Sequence, residues 1–149
     1  MNSGDGSGER NTVAVKAGDK GDVTGTNLVW QSKKATCPYV PCMLTWGDHV
    51  YYLEDHGFAG CFAARTGEVV YHERLGTAWF SASPVLVDGK IYAVNENGDV
   101  FVYPAEPKLK VLAKNSIGEP VLASPAVADN RLYIRGKSHL FCIGKPAAR

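Results

Sequence analysis

The chain has 149 residues, of which 45% are hydrophobic and 21% are charged, a balance that favours one folded domain and excludes wholesale disorder. Sixteen Lys and Arg residues against 15 Asp and Glu give a net charge of +1, so neither nucleic acid nor an anionic membrane is expected as a partner. No apolar run approaches the length of a transmembrane helix, and the polar, Gly/Ser-rich first residues lack the apolar segment of a secretory signal, which leaves the compartment undetermined.

A repeat of 41 residues runs through the sequence. Three sets of residues keep this spacing: a tyrosine at Tyr51, Tyr92 and Tyr133, a Ser-Pro pair at Ser83-Pro84 and Ser124-Pro125, and a large side chain at Trp30, Tyr71 and Leu112. Because three independent sets agree on one period, the sequence predicts a tandem array of similar structural units.

Each unit predicts four short β-strands, because runs rich in Val, Ile, Tyr and Phe alternate with turn signals such as Asp88-Gly89 and Asp129-Asn130. The first unit predicts strands over 27–31, 40–44, 49–53 and 61–63. The second predicts strands over 68–72, 81–87, 90–94 and 100–103. The third predicts strands over 109–113, 121–128, 131–134 and 140–143, where the last strand comes one residue early. No stretch combines helical periodicity with capping residues.

Four short strands in about 40 residues are typical of a propeller blade. The sequence therefore predicts an all-β fold, a partial β-propeller of about three four-stranded antiparallel blades. The predicted organisation is a disordered tail over 1–12, a repeat segment over 13–145 with blades over 26–66, 67–107 and 108–145, and a tail over 146–149. Within it, 13–16 is predicted to be the outgoing strand of a preceding blade whose other strands are absent.

The repeated residues are predicted to be packing positions and not a ligand site. The three tyrosines are expected to be largely buried fillers between neighbouring blades. The Ser-Pro pairs suit a crowded position near a central channel, where Pro at a strand start loses no ladder hydrogen bond. Since propellers close at about four to eight blades, about three blades predict a fragment of a larger propeller, or a subunit that needs copies of itself.

Residues 63–71, Ala-Ala-Arg-Thr-Gly-Glu-Val-Val-Tyr, resemble the tryptophan-docking repeat of quinoprotein-type propellers, in which an Asp-Ala pair precedes Thr-Gly-Glu and a Trp. Thr66 and Gly67 hold the Thr-Gly of that motif. Segments 80–92 and 118–145 resemble two further repeats, so the likeness covers roughly 11–145. It implies PQQ-like propeller repeats, here the C-terminal blades of a larger propeller similar to the cofactor-free members of the outer-membrane-assembly type.

The chain departs from this family pattern where the cofactor chemistry lies. Ala63 replaces the motif's Asp, Tyr71 and Leu112 replace its Trp, and Trp30 alone keeps the Trp. The quinone-dependent dehydrogenases of the family need adjacent cysteines, a catalytic Asp and a calcium site, whereas the four cysteines here are dispersed and no acidic cluster has calcium-ligand spacing. The resemblance therefore implies a fold without PQQ or calcium, and we expect no enzymatic activity.

Two stretches partly match nucleotide-binding motifs, but each is better interpreted as ordinary structure. Residues 13–16, Val-Ala-Val-Lys, match the strand that carries the ATP-pairing lysine of kinases, but the other kinase motifs are missing and an ordinary strand is favoured. Residues 18–25 have the glycine density of a phosphate loop but lead into a strand and not a helix, which favours a flexible loop between blades.

The remaining reactive residues give no catalytic constellation. Cys37 and Cys42 are expected to be buried thiols, with a local disulfide or a metal site as open alternatives. The histidines are predicted to be structural or exposed, since none lies near a serine or cysteine in a nucleophile-elbow context. Glu54 and Asp55 are predicted to lie in a solvated turn, because neighbouring side chains of a strand end point apart.

The leading hypothesis is a non-catalytic propeller scaffold or protein-interaction module, whose partner is another protein or a second copy joined through open blade edges. The first alternative is part of a quinone-dependent oxidoreductase whose active site lies in missing blades. The second alternative is a sensor region formerly linked to a signalling kinase. The sequence alone does not identify the partner.

Overall fold

The computed structural model describes residues 2–3, 11–23, 25–32 and 37–144, and these residues form an all-β fold. Within these described residues, fourteen strands follow one another: β1 Asn2–Ser3, β2 Asn11–Val15, β3 Leu28–Ser32, β4 Leu44–Trp46, β5 His49–Leu53, β6 Phe58–Ala63, β7 Val69–Arg74, β8 Val85–Val87, β9 Lys90–Val94, β10 Asp99–Pro104, β11 Ala113–Ser116, β12 Ala126–Ala128, β13 Arg131–Arg135 and β14 Leu140–Ile143.

The strands form four antiparallel sheets, named here in chain order. Sheet 1 has the order β1-β2-β3, sheet 2 has β4-β5-β6-β7, sheet 3 has β8-β9-β10-β11, and sheet 4 has β12-β13-β14. Every sheet is a simple up-and-down meander, in which each strand pairs with its neighbour in sequence. The predicted partial propeller is therefore confirmed, with two sheets of four strands and two of three.

The 41-residue repeat is visible in the pairing of the strands. Sheets 2, 3 and 4 begin their first strands at Leu44, Val85 and Ala126, and their second strands begin at His49, Lys90 and Arg131. The second and third strands pair as Tyr51 with Cys61, Tyr92 with Val102, and Tyr133 with Cys142. The last pair is one residue closer in sequence, which confirms the predicted one-residue shortening.

Tight turns fix this pairing in sheets 3 and 4. Asp88 and Gly89 have positive φ angles of 47° and 68°, and Asp129 and Asn130 have 50° and 56°. Two successive residues with positive φ form the two-residue hairpin that matches the twist of antiparallel strands, and Asp, Asn and Gly tolerate this conformation best. The predicted turn signals are confirmed.

The sheets divide the chain at points other than the predicted blade boundaries. The strands predicted to open the blades at 27–31 and 68–72 are the outer strands β3 and β7 of the preceding sheets. The predicted strand over 109–113 is wrong, because the outer strand of sheet 3 starts only at Ala113 and ends at Ser116. Its polar residues gave no strand signal, since its position is set by pairing with β10 and not by propensity.

Two further expectations about strands are corrected. Those predicted over 40–44, 81–87 and 121–128 are only three residues long, and the residues before them, including the buried Pro84 and Pro125, run as irregular connections. The segment around 13–16 is not a strand without partners, because β2 pairs with both β1 and β3.

Within the expected disordered tail over 1–12, Asn2–Ser3 forms strand β1 and pairs with residues 11 and 12, and the other residues of that tail lie outside the described part of the chain. The glycine-rich loop over 18–25 joins β2 to β3 inside sheet 1 and does not link two blades. The predicted tail over 146–149 lies outside the described residues.

Apolar side chains fill the spaces between consecutive sheets. The larger cluster lies between sheets 2 and 3, and its members include Tyr51, Leu53, Tyr71, Phe101 and Tyr103. The smaller cluster lies between sheets 3 and 4 and is built on Val94, Val100, Val121 and Ile134. Face-to-face burial of each sheet by the next is what holds the array together.

Hydrogen bonds between sheets repeat with the same 41-residue period. The Cys42 backbone N donates to Ser83 Oγ at 2.9 Å, and the Ser83 backbone N donates to Ser124 Oγ at 2.9 Å. A second series joins Phe80 N to Asp55 O and, one unit later, Val121 N to Glu96 O. Each Ser of the predicted Ser-Pro pairs therefore joins its own sheet to the preceding unit.

Candidate interaction surface on the last sheet

Sheet 4 has one face covered by sheet 3 and one face without a covering sheet in the described part of the chain. Leu132 and Ile134 of β13 pack into the cluster against sheet 3. Since successive side chains of a strand point to opposite faces, the alternate residues point away from sheet 3. We name this surface the open face, and it consists of Ala126, Ala128, Arg131, Tyr133, Arg135, Leu140 and Cys142.

The open face carries a Tyr-Cys pair that also occurs in sheet 2. There, Tyr51 lies opposite Cys61 on neighbouring strands, and both are buried under sheet 3, with 2% and 0% of their surface exposed. Burial raises the pKa of the Cys61 thiol to about 11 and that of the Tyr51 hydroxyl to about 12, because a charged form loses its hydration. Both side chains therefore stay un-ionised and contribute only to packing.

The second pair, Tyr133 opposite Cys142, has the same place in sheet 4 but another environment. Tyr133 is half-buried and Cys142 is exposed. The Arg131 guanidinium donates to Cys142 Sγ at 3.7 Å and lowers the pKa of the thiol. A hydrogen bond with Cys142 raises the pKa of Tyr133 in turn. The expectation that all three repeated tyrosines are largely buried is thus confirmed for Tyr51 and wrong for Tyr92 and Tyr133, which are half-buried.

Arg135 distinguishes the open face from the covered faces of sheets 2 and 3. Arg135 takes the position that Val94 holds one unit earlier and Leu53 holds two units earlier, where both are completely buried. Arg131 lies two residues before Tyr133 on the same face. A charged residue at a position that is apolar in the earlier units is the sequence signal for this surface.

The space between sheets 3 and 4 is less well filled than the space between sheets 2 and 3. A cleft of about 780 Å³ lies there, with Tyr92, Val87, Val127, Leu132 and Ile143 among its walls. In sheet 4, Ile143 holds the position that the buried Tyr103 holds in sheet 3, once the one-residue shortening is taken into account. In sheet 3, Val87 holds the position that Trp46 holds in sheet 2. Smaller side chains at equivalent positions therefore leave Tyr92 partly exposed.

The tryptophan-docking contact occurs between sheets 1 and 2. Trp30 Nε1 donates to the Ala64 carbonyl at 2.8 Å, and the indole rests on Gly67, whose φ is 72°. Thr66 Oγ1 accepts from the Glu68 backbone N at 3.3 Å and shapes the loop below the ring. The motif residues are thus brought together as a packing joint between sheets.

The joint is modified in the later units. Tyr71 holds the Trp position between sheets 2 and 3, and its buried hydroxyl has no hydrogen-bond partner within the described residues. Burial raises the pKa of this hydroxyl. Leu112 holds the position after that and is 48% exposed. The docking contact therefore weakens along the chain toward the open face.

The other residues considered from the sequence lie apart from the open face. Cys37 is buried, Cys42 is exposed, and both are free thiols, so the alternative of a disulfide between them is not realised. The expected solvated turn at Glu54 and Asp55 is wrong, since both are buried. Asp55 accepts hydrogen bonds from the backbone N of Tyr39 and of Val40, which compensates its burial.

Histidines and acidic residues form pairs and not larger clusters. His72 Nε2 lies 3.1 Å from Glu54 Oε1, and His139 Nδ1 lies 3.3 Å from Glu119 Oε2. Among the described residues, no group of three or more His, Cys, Asp and Glu side chains is placed to hold a metal ion. In the same part of the chain, no helix has the length and apolar composition needed to cross a membrane.

No protein-family profile and no curated protein matches the chain. Among solved structures, BamB from Moraxella catarrhalis is similar with a TM-score of 0.63 and 19% identity, over 77% of this chain and 33% of BamB. The computationally designed Ika4 protein is similar with a TM-score of 0.62 and 12% identity, over 78% of this chain and 73% of Ika4. A europium-containing methanol dehydrogenase is similar with a TM-score of 0.54 and 14% identity, over 72% of this chain and 21% of the enzyme.

These likenesses show the fold. The chain is structurally similar to PQQ-like β-propellers, which agrees with the resemblance found in its sequence. It spans about a third of the length of BamB and about a fifth of the methanol dehydrogenase. Identities of 19% and below carry no statement about activity or cofactors.

Proposed function

We propose that the chain is a non-catalytic scaffold segment, which joins a larger β-propeller by docking its open face against a further sheet. The Tyr-Cys pair carries this proposal, because the same pair is buried between sheets 2 and 3 and exposed on sheet 4. In sheet 2, where sheet 3 follows, this surface is buried. The likeness to one third of BamB supports a segment of a larger ring.

The backbone at the same end supports continuation of the array. Ser83 and Ser124 each accept a hydrogen bond from the equivalent residue of the preceding unit. The Ser124 backbone N occupies the donor position of the next step and has no acceptor among the described residues. A hydroxyl or carbonyl oxygen at the equivalent place of a further unit would accept a hydrogen bond from this N–H. Another sheet of the same type carries such an oxygen there.

Arg135 defines the kind of sheet that fits. Leu53 and Val94 are covered by apolar neighbours, whereas Arg135 requires a partner that presents an acceptor or a carboxylate. The partner is therefore a propeller sheet with a mixed apolar and acidic surface, from another part of a longer protein or from another chain.

The experiment is a comparison of association between two variants at Arg135. Arg135→Leu restores the residue type of the earlier units and should increase self-association, because an apolar open face lacks its charge barrier. Arg135→Glu keeps a charge and should leave association no stronger than in the original chain. Sedimentation velocity over a range of concentrations reports both. Equal behaviour of the two variants would contradict docking through the open face.

We also propose that the chain binds neither PQQ nor calcium by itself. The proposal rests on the dispersed cysteines and on the absence of a metal-holding cluster among the described residues. Calorimetric titration with PQQ in the presence of calcium should give no saturable heat. Micromolar binding, or dehydrogenase activity after reconstitution, would support the oxidoreductase alternative instead.

A further inference from the structure

The cleft between sheets 3 and 4 is lined by smaller side chains than the equivalent space between sheets 2 and 3. At three positions of the repeat, a large residue of the earlier space is replaced by a smaller one. The equivalent residues are Trp46 and Val87, Leu86 and Val127, and Tyr103 and Ile143. The resulting volume of about 780 Å³ lies within the size range of small-molecule sites.

The earlier space shows which group has the right shape. The Trp46 indole rests against the hairpin of sheet 3, since a Cβ at Gly89 would lie 3.7 Å from a carbon of its ring. Tyr51, in the same space, is only 2% exposed. One unit later, Val87 holds the Trp46 position and Asn130 holds the Gly89 position. Within the described part of the chain, no indole therefore fills the cleft between sheets 3 and 4.

The walls of the cleft suit a planar apolar group. Tyr92 contributes a half-buried aromatic ring from β9. On the facing sheet, Val127 is 45% exposed and Ile143 is 47% exposed. Burial of this apolar surface is favourable, and the Tyr92 ring offers a partner for offset or edge-on aromatic packing.

The charges around the cleft select among aromatic ligands. Asp88 and Asp129 place exposed carboxylates on the two hairpins that flank it. The Arg131 guanidinium belongs to the same wall but donates to Cys142 Sγ at 3.7 Å on the open face. The cleft therefore favours an uncharged or positively charged ligand over an anionic one.

We propose that the cleft between sheets 3 and 4 binds a small planar aromatic molecule of the indole type, which is uncharged or carries an amine. The inference does not rest on the proposed function, because the cleft lies between two sheets of this chain and not on the open face. It adds a ligand site and the chemical class of its ligand.

The test is a titration of fluoroindole with the full chain, followed by fluorine NMR. We expect a saturable change in chemical shift or line width with a Kd on the order of 1 mM, as is reasonable for a ligand of so few atoms. Absence of saturation would overturn the proposal.

Substitutions in the walls locate the site. Val87→Trp restores the indole of the earlier unit and should weaken binding at least about tenfold, because the side chain takes the space of the ligand. The matched control is Val70→Trp on β7, where the residue is 37% exposed, and it should leave the affinity unchanged. Equal losses in the two variants would overturn the placement of the ligand.

A milder variant keeps the test decisive if Val87→Trp fails to fold. Val127→Leu restores the residue type of Leu86 and should weaken binding about threefold, since one added methylene narrows the cleft. An affinity for fluoroindole equal to that of the unmodified chain would overturn the proposal.

Two ligands with the same ring and opposite charge test the chemical class. Tryptamine should bind about two- to fivefold more tightly than indoleacetate at low salt, because exposed carboxylates contribute modestly. Asp129→Asn should reduce this difference. Tighter binding of indoleacetate to the unmodified chain would overturn the assignment of an uncharged or cationic ligand.

Discussion

Sheets 2 and 4 carry the same Tyr-Cys pair on the same strands, yet the two pairs differ in burial and in the direction of the pKa shift of their thiols. Tyr51 and Cys61 are buried, and the pKa of the Cys61 thiol is raised to about 11. Cys142 is exposed beside Arg131, which lowers the pKa of its thiol. The repeat thus fixes where a side chain lies on its sheet, and the following sheet determines its chemistry.

The same comparison explains why sheet 4 carries charge. Leu53 and Val94 are buried because a further sheet with apolar side chains lies against each of them. At Arg135 no such apolar cover exists in the described structure, and the side chain is exposed. A position with the same geometry in sheets 2, 3 and 4 therefore changes in polarity on sheet 4, the last sheet of the described residues.

The largest expected difference between the two regions is the reactivity of their thiols. At neutral pH a thiol with a pKa of about 11 is ionised in on the order of one molecule in ten thousand, and burial adds a steric barrier. Iodoacetamide should therefore modify Cys142 at least on the order of a hundredfold faster than Cys61. Mass spectrometry of proteolytic peptides after timed quenching measures both rates in one sample.

The exposed Cys42 serves as an internal reference for this labelling experiment. Arg131→Gln should slow the modification of Cys142 toward the rate of Cys42, because the guanidinium no longer stabilises the thiolate. Modification of Cys61 at the rate of Cys142 in the folded chain would contradict the assignment of the first pair to the interior.

Truncation of the two tyrosines tests the comparison through stability. Tyr51→Ala should lower the free energy of unfolding by about 3–5 kcal/mol, since it leaves a cavity between sheets 2 and 3. Tyr133→Ala is the matched control and should cost no more than about 1 kcal/mol, because its position is half-buried. Urea denaturation followed by tryptophan fluorescence gives both values. Similar losses at the two sites would mean that the open face is covered.

The docking joint between sheets 1 and 2 is tested at Gly67. A Cβ there would lie 2.5 Å from two carbons of the Trp30 ring, and the φ of 72° disfavours any L side chain. Gly67→Ala should therefore destabilise the fold by about 2 kcal/mol or more. Gly118→Ala, at a φ of 82° with no atom within 4 Å, isolates the backbone strain and should cost about 1 kcal/mol. Equal costs in thermal or urea denaturation would show that the indole does not rest on Gly67.

The smallest expected effect concerns the outer strand of sheet 3. Lys114 Nζ lies 2.9 Å from Asp99 Oδ2 and, with Asn95, holds the pKa of this carboxyl below its ordinary value. A folded-state pKa below the unfolded one contributes stability above about pH 4, which is lost as pH falls through the folded pKa. Asp99→Asn should remove this part of the acid dependence of Tm. An identical pH profile for the variant would show that the pair contributes nothing.

Much of the fold was predictable because its elements obey local rules. The spacing of Tyr51, Tyr92 and Tyr133 and the Asp-Gly and Asp-Asn turns predicted the repeat and three strands of each unit. The outer strand of sheet 3 was misplaced, because Ala113–Ser116 is polar and is held by its pairing with β10. The predicted blade boundaries also differ from the boundaries of the sheets, because a repeat length does not show at which residue each structural unit begins.

The candidate surface was harder to predict than the fold. Its residues are ordinary Arg, Tyr, Leu and Cys, and no motif distinguishes them. These residues are identified as a surface only by features of the tertiary structure. Among the described residues, no sheet covers sheet 4 on its far side, and β14 pairs on one side only. The one local sign of this surface in the sequence is Arg135, which lies at the repeat position that Leu53 and Val94 hold in the earlier units.

The proposed function requires that the open face docks against a further sheet. Static light scattering of the 149-residue chain over a wide concentration range, with a hydrophobic dye and a thermal melt on the same samples, tests it most directly. We expect a mass that rises above that of a monomer as the concentration increases, together with dye binding. A compact monomer at high concentration, with a sharp cooperative melt and no dye binding, would contradict it.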